Sequence, residues 1–514
     1  MNDLHQPLAP FRAALQTVFQ QVAAHNGAAW VVGGTLRDAL LRRPIHDVDL
    51  AVSVSALPLA QAVADALGAS YVPLHEHHAV ARIVLANGVV LDLAQLRAAT
   101  IEADLRARDF TANALAAPLL ADGTVGGLID PLAGQTDIAA GVVRLCSPHA
   151  FADDPLRMLR ATRLAATLEW TLDSALDAAL RANAPQIGTV SAERVREELL
   201  ALLATRCAAP WLRYLDRTGI LTLLIPELDR THGETQPIVH FLDVWEHTLE
   251  AVCAGEWLWA QLNDDHRPAP PAPPADAADS YPPAFFQFPV AAQIYPELRA
   301  ESRWREQIVA HMQTEIAGGH ERLALWKLAI LLHDNAKPQT RAPKPDGGVS
   351  FHAHQDIGAD VAQTIAARLR LSRAEIGYIG AVVRGHMRPG QLNEQPETTP
   401  RAAYRFFRDL GAAAVDTLLH SLADHLATRG PQLSPPHWAL HGAWTDRMLG
   451  FHWDAERGTQ KRAPLLNGHT LMQELGLRPG PQLGVLLEAI REAQAVGEIE
   501  TPEAALALAR RLHP

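Results

Sequence analysis

Apolar positions change period along the first third of the chain. Phe11, Leu15, Val18, Phe19 and Val22 fall on one face at helical spacing, which predicts an amphipathic helix over 11–22. A short apolar run over 28–32 ends in Gly33-Gly34, and predicts a strand, a tight loop and a helix beginning near Thr35. Residues 47–54 alternate carboxylates with apolar side chains, as a strand with one polar face does, and 80–96 reads as two more strands joined at Asn87-Gly88. From about residue 150 this signal fades, and Ala/Leu/Arg-rich stretches of helical period run to the C-terminus. The expected fold class is α+β, a small head with a mixed sheet followed by a mostly α-helical remainder.

Two interruptions divide the helical part. Residues 268–289 hold eight prolines, a composition that sustains neither helix nor ladder, so 266–290 is expected to be a mobile insertion. A second break, 430–436, sets off a C-terminal segment of about 80 residues. No repeat of solenoid period is present.

Composition narrows the class. At roughly 150 residues per domain, 514 residues imply about three domains, so a small binding module is excluded. With 48% apolar and 20% charged residues the chain is an ordinary folded one. No apolar run approaches the roughly 18 residues a membrane span needs, and Asp3 near the start is not part of a basic leader, so no membrane partner and a cytoplasmic location are expected. Cys146, Cys207 and Cys253 are too scattered for a disulfide framework. A net charge of −12 argues against a surface coated in nucleic acid, although only four of 45 basic residues are lysine and the rest carry the phosphate-gripping guanidinium fork.

The first chemical signal is VGGTLRD at 32–38, followed by Asp47-Val48-Asp49. Residues two apart on a strand project to one side, so Asp47 and Asp49 face one spot, where two carboxylates hold Mg²⁺ together with substrate phosphate oxygens. Gly33 and Gly34, ahead of a helix start, let backbone N–H groups approach those phosphates. Either feature alone is commonly a turn or a solvated surface; their order and spacing point to a nucleoside triphosphate held for attack at its α-phosphorus. Asp92, on the strand 89–93, reads as a third carboxylate, as the base for an attacking hydroxyl, or as a solvated strand-end residue.

VGGTLRD followed by HDVDLAV resembles the signature of class II tRNA nucleotidyltransferases and bacterial poly(A) polymerases, within the polymerase-beta-like superfamily. Further segments match in order. DLRARDFTANA, 104–114, resembles the ribose motif, which implies contacts from Arg108, Asp109 and Asn113, with Arg37 of the first motif also at the nucleotide. FADDPLRMLRATR, 151–163, resembles the base-selecting motif and implicates Asp154, Arg157, Arg160 and Arg163; SAERVREEL, 191–199, resembles the helical motif after it. If Pro155 opens a helix, Asp154 sits at its N-cap and accepts from the exocyclic amine of cytosine or adenine while Arg157 donates. Uracil and guanine present an acceptor where Asp154 needs a donor, so side chains take the place of a template. The chain departs from the family pattern at Ala107, where an arginine is usual, and at Asp153, where Glu is usual. Members that add all of CCA carry a longer loop before the ribose motif, so the short 97–103 segment suggests addition of the two cytidines only.

A second series, EHTL, LLHDNAK, FHAHQ, VRGHM and SLADHLA, resembles the HD phosphohydrolase superfamily. The resemblance implies a metal set of His247, His333, Asp334 and Asp424, holding Mn, Fe, Co or Ni, and a phosphate site of Lys337, His354 and His386. The usual Ile-Gly after His-Asp is Asn335-Ala336 here, and hydrolysis stands beside a structural or RNA-positioning role. The tail, 464–499, resembles that of bacterial members carrying this region; Gly480-Pro481 opens a helix at Gln482 that either meets an RNA phosphate or packs through Leu483, Leu486, Leu487 and Ile490.

The implied organisation is an N-terminal helix 1–27, a nucleotidyltransferase head 28–148, a helical neck 149–232, an HD domain 233–430 and a tRNA-binding tail 431–514. The implied activity is addition of CMP, AMP or both to a tRNA 3′ end from CTP and ATP, with Mg²⁺ at the head. The alternatives are a poly(A) polymerase and an HD phosphohydrolase whose head only binds nucleotide.

Overall fold

The structure is a computed structural model that describes residues 4–75, 79–274, 286–316, 319–345, 347–395, 397–458 and 464–513. The Pro-rich insertion lies partly outside the described residues, at 275–285. The protein forms two compact units: residues 1–191 with 217–223 and 270–279, and residues 192–216 with 224–269 and 280–514.

The first unit is built on a six-stranded sheet in the order β3-β4-β5-β2-β1-β6, with β1 Ala29–Val32, β2 Asp47–Val52, β3 Ser70–His75, β4 Val80–Val84, β5 Val90–Gln95 and β6 Ala116–Pro118. β2 and β5 run parallel, and the other neighbours antiparallel, so the sheet is mixed as expected. Strand alternation sets its two faces: Val48, Leu50, Leu91 and Leu93 are buried while Asp47, Asp49 and Asp92 point the other way. Helix Arg12–Ala24 buries Leu15, Val18 and Val22, and helix Ala56–Leu67 buries Leu59, Ala60, Val63 and Ala64. Each large side chain so buried contributes about 1.5–3 kcal/mol.

One expected boundary shifts. The base-selecting helix opens at Arg157 and runs to Leu168, two residues after Pro155, and Asp154 ends the short helix Ala150–Asp153 in extended conformation. Its Oδ1 still accepts the Leu156 N–H at 3.2 Å, closing a turn ahead of the helix instead of capping its first residue.

The second unit is helical. Helix Arg322–Leu332 is buried on every side, as its mostly apolar run requires, with Lys327 paired to Glu256 at 2.9 Å, and is packed by helices Ala192–Leu203, Val244–Leu262 and Arg373–Gly385. Ser372 and Glu375 form a capping box at the start of Arg373–Gly385. The tail has its own core of Leu471, Leu486, Ile490, Ala505 and Ala509. Its helix Pro481–Ala495, which opens at Pro481 itself, meets helix Pro400–Leu410 through charge: Arg401 and Arg405 both bind Glu492, at 2.7 and 2.8 Å, and Arg408 binds Glu488 at 3.1 Å. No helix among the described residues is long and apolar enough to cross a membrane.

Candidate functional sites

In the head, parallel pairing puts Asp49 directly beside Asp92, and Asp47 two residues earlier faces the same way. Oxygens of all three carboxylates lie within 4.8 Å of one another. Asp92 is thus mid-strand and 15% exposed, not a solvated strand end. Burial first, then the negative charges of Asp47 and Asp92, push Asp49 up to about 6, with Arg108 and Arg37 offsetting part of the rise. The oxygen-only donor set suits a hard divalent ion.

The glycine turn is built to keep space beside these carboxylates. Gly33 has φ +68°, and a Cβ there would meet the Arg108 guanidinium at 3.1 Å and Asp49 Oδ2 at 3.5 Å. A Cβ at Gly34 would sit 3.3 Å from Arg37. Helix Gly34–Leu40 follows directly. Thr35, which carried no signal in the sequence, locks the turn to the strand: its hydroxyl accepts the Asp49 N–H at 2.8 Å and donates to the Asp47 carbonyl at 3.4 Å.

The arginines around the cluster are braced. Arg37 forks onto Asp38 at 3.0 and 2.9 Å and donates to Asn113 Oδ1 at 2.6 Å, while Arg108 reaches Asp104 at 3.3 Å. Arg82, also unforeseen, grips Asp92 with both arms, Nε to Oδ1 at 2.9 Å and Nη2 to Oδ2 at 2.8 Å. Asp109 is buried; burial alone would raise its carboxyl, but Arg160 at 3.0 Å, the Phe110 N–H and the Asn113 amide outweigh it and hold it below the ordinary range. In the base-selecting motif Arg157 is buried and donates to the carbonyls of Ala150 and Ala107, Asp154 and Arg160 are half-buried, and Arg163 lies one turn beyond Arg160, also half-buried.

The second centre is buried except at Asp424, which is 28% exposed. His247, from helix Val244–Leu262, meets Asp424 at 3.0 Å and Asp334 at 3.6 Å; His333 meets Asp334 at 3.1 Å and Asp424 at 3.9 Å. His354 and His386 approach the other oxygen of Asp334 at 3.5 and 3.8 Å, with their own Nε2 atoms 3.2 Å apart. Two ligand groups result, His247/His333/Asp334 and Asp334/His354/His386. The Nδ1 atoms of His333, His354 and His386 bond to the carbonyls of Ile330, Phe351 and Val383, at 2.8, 2.7 and 2.6 Å, which turns each Nε2 inward. Nε2 of His247 and His333 and both Asp334 oxygens are buried without a well-formed hydrogen bond among the described residues, their nearest polar neighbours being one another, Asp424 and Lys337. Such donors, gathered in two groups that share Asp334, fit a transition metal.

Lys337 stands 2.6 Å from Asp334 and donates to Gln236 at 2.5 Å. Burial, then the charge on His333, lowers His386 to about 3. Sequence reasoning missed His420, which packs on His333 and His386 with ring centroids 4.8 and 5.8 Å away. Its position one helical turn before Asp424 was the signal available. Asn335, where the resembled family has Ile, donates to the carbonyls of Leu332 and Gly358 at 2.7 and 3.1 Å.

The fold and the carboxylate site define a nucleotidyltransferase head carried with an HD unit that holds a candidate metal centre. Residues 29–144 match the poly A polymerase head domain, 170–231 the probable RNA and SrmB-binding site of polymerase A, and 304–427 the HD domain. The protein is 34% identical to the A-adding tRNA nucleotidyltransferase of Deinococcus radiodurans, over 94% of its own length and 95% of that relative's. It is 32% identical to the CC-adding tRNA nucleotidyltransferase of Geobacter sulfurreducens, over 97% and 95%. The solved Thermotoga maritima CCA-adding enzyme complexed with tRNA shares the fold at TM-score 0.54 and 19% identity, over 97% of this protein and 95% of that one. The chain belongs to the tRNA nucleotidyltransferase family.

Proposed function

We propose that the head adds CMP, AMP or both to the 3′ end of tRNA from CTP and ATP, without a template. The observation that carries this is the convergence of Asp47, Asp49 and Asp92 beside the Gly33-Gly34 turn. The RNA 3′-oxygen attacks the α-phosphorus, a new O–P bond forms, pyrophosphate leaves, and the hydroxyl proton passes to a carboxylate or to solvent. Asp47 and Asp49, with Asp92, would hold Mg²⁺, which when bound neutralises phosphate charge and polarises the attacking hydroxyl. Arg37 and Arg108 border the space beside the glycines, where the triphosphate and ribose would lie, with Asp109 and Asn113 supporting them. Asp154 accepts from the base amine, and Arg157, its plane fixed on two backbone carbonyls, supplies donors beside it. We assign 28–148 to the head, 149–232 to the neck, 233–430 to the HD domain and 431–514 to the tail, in a cytoplasmic enzyme.

The segment between β5 and helix Ile101–Arg106 is short, and the Arg97 N–H is tied to Asp104 at 2.9 Å, which favours addition of CC alone. tRNA lacking its 3′ end, given Mg²⁺ and single nucleotides, tests this. Two residues from CTP with none from ATP is the expected result; a single AMP marks the enzyme as A-adding, a long AMP tail marks it as a poly(A) polymerase, and no extension overturns the assignment.

The buried imidazole and carboxylate atoms favour a second reading, in which the HD centre holds Mn, Fe, Co or Ni and hydrolyses a phosphate ester bound by Lys337, His354 and His386. Assay of 2′,3′-cyclic nucleotide hydrolysis before and after chelation tests it. A flat result with metal restored leaves the centre a structural one.

A further inference from the structure

Asp92 poses a question that the proposed nucleotide addition does not answer. It is one of three carboxylates that face a common cation position, yet both of its oxygens are taken by one guanidinium, at 2.9 and 2.8 Å. The donor comes from the neighbouring strand: Arg82 on β4 stands opposite Asp92 on β5 in the antiparallel register, while Asp49 on β2 flanks Asp92 from the other side. A two-armed Arg–carboxylate pair is among the strongest polar contacts at a protein surface. Arg82 is 40% exposed and Asp92 15%, so the arginine has open space to turn into and the aspartate does not.

We propose that Arg82 is a positioning residue that holds Asp92 in reserve. With the divalent ion and the triphosphate bound, Asp92 would give up the guanidinium for the ion, and Arg82, which also feels the charges of Asp47 and Asp49, would be released to turn to the phosphates. No covalent bond changes in this exchange; one cation replaces another on the carboxylate, and the arginine replaces one anion with another. While latched, Arg82 offsets part of the repulsion among Asp47, Asp49 and Asp92, which lets the cluster stand without a bound ion. The inference rests on the head binding nucleotide and metal as proposed above.

The test measures Mn²⁺ bound at the head, as the difference between the full-length protein and its Asp49→Asn variant, without nucleotide, and separately KM and kcat for nucleotide addition to tRNA. In Arg82→Ala, Mn²⁺ without nucleotide should bind several-fold more tightly, because its competitor for Asp92 is gone, while KM for nucleotide rises about tenfold from the lost phosphate contact. Arg82→Lys keeps the charge and loses the fork, so it should restore KM and leave Mn²⁺ binding tightened. A merely structural arginine would weaken metal and nucleotide together, and unchanged or weaker Mn²⁺ binding in both variants, with a wild-type enzyme that extends tRNA, overturns the latch. A wild-type protein that extends no RNA overturns the underlying nucleotide-addition reading instead.

Discussion

The head cluster and the HD centre solve the same problem, gathering ligands around a cation, from opposite directions. The head offers carboxylates only, on the face of a sheet, with Asp47 exposed and Asp49 and Asp92 half-buried. The HD centre offers imidazoles with two carboxylates, and His247, His333, Asp334, His354 and His386 are all buried. Charge balance differs accordingly. Burial and then the charges of Asp47 and Asp92 raise Asp49, whereas beside the HD imidazoles burial of Asp334, which would raise it, is outweighed by His333 and Lys337, which hold it well below its ordinary range. An open, oxygen-only cluster suits an ion that comes and goes with its substrate; a closed nitrogen-rich one suits a resident ion.

That contrast can be broken by experiment. The largest effect is expected from Asp49→Ala, which should lower nucleotide addition to tRNA by about a thousandfold while leaving the metal content of the HD centre unchanged by elemental analysis. Next comes Glu250, buried in the helix that carries His247, where burial lifts the carboxyl to about 8 and the Val290 N–H bonded to it only partly offsets this. Its folded pKa exceeds the ordinary 4.5, so this stabilisation is full in acid and is lost as pH rises from about 4.5 to about 8. Glu250→Gln should flatten that slope and stabilise the protein at pH 8 by up to a few kcal/mol, read by chemical denaturation across pH.

Stripping metal from the HD centre should cost about 2.7 kcal/mol of stability when the ion had been present at a hundredfold its Kd, seen as a lower Tm restored by Mn, Fe, Co or Ni. Mg²⁺-dependent tRNA extension after that treatment should stay within about twofold. The smallest effect is expected for Thr35→Val, which removes the hydroxyl joining the glycine turn to β2; about 1 kcal/mol, near fivefold in kcat, is expected without change in HD metal content.

Much of this was legible in the chain because the informative residues are local. The Asp47-Val48-Asp49 alternation, the glycine pair and the apolar run ending in His333-Asp334 each declare geometry within a few residues, and the structure places Asp47 and Asp49 with Asp92 in one unit and His333 and Asp334 with His247 in the other. What escaped depends on which side chains meet once strands pair and helices pack, whether across a ten-residue hairpin or over longer separations. Arg82 acquires meaning only through antiparallel pairing with Asp92, and His420 only through the packing of its helix against His333 and His386. Arg157 reads in the sequence as a free donor, yet two carbonyls, one of them 50 residues away, engage its fork. The late helix start at Arg157 has a local origin, since Asp154 ends the preceding short helix and spends its side chain on the intervening turn.

The tail is fastened by electricity more than by oil. Between helix Pro400–Leu410 and helix Pro481–Ala495, Arg401, Arg405 and Arg408 each meet a carboxylate and the Tyr404 hydroxyl donates to Glu488 at 3.2 Å, while the tail's aliphatic residues pack on one another. Counterions shrink the reach of such forces from about 10 Å at 0.1 M to about 3 Å at 1 M, yet leave aliphatic packing intact or tighter. Rising ionic strength should therefore unhitch this end piece as a folded bundle before it melts, so the solution around the enzyme sets how firmly its last 50 residues are held.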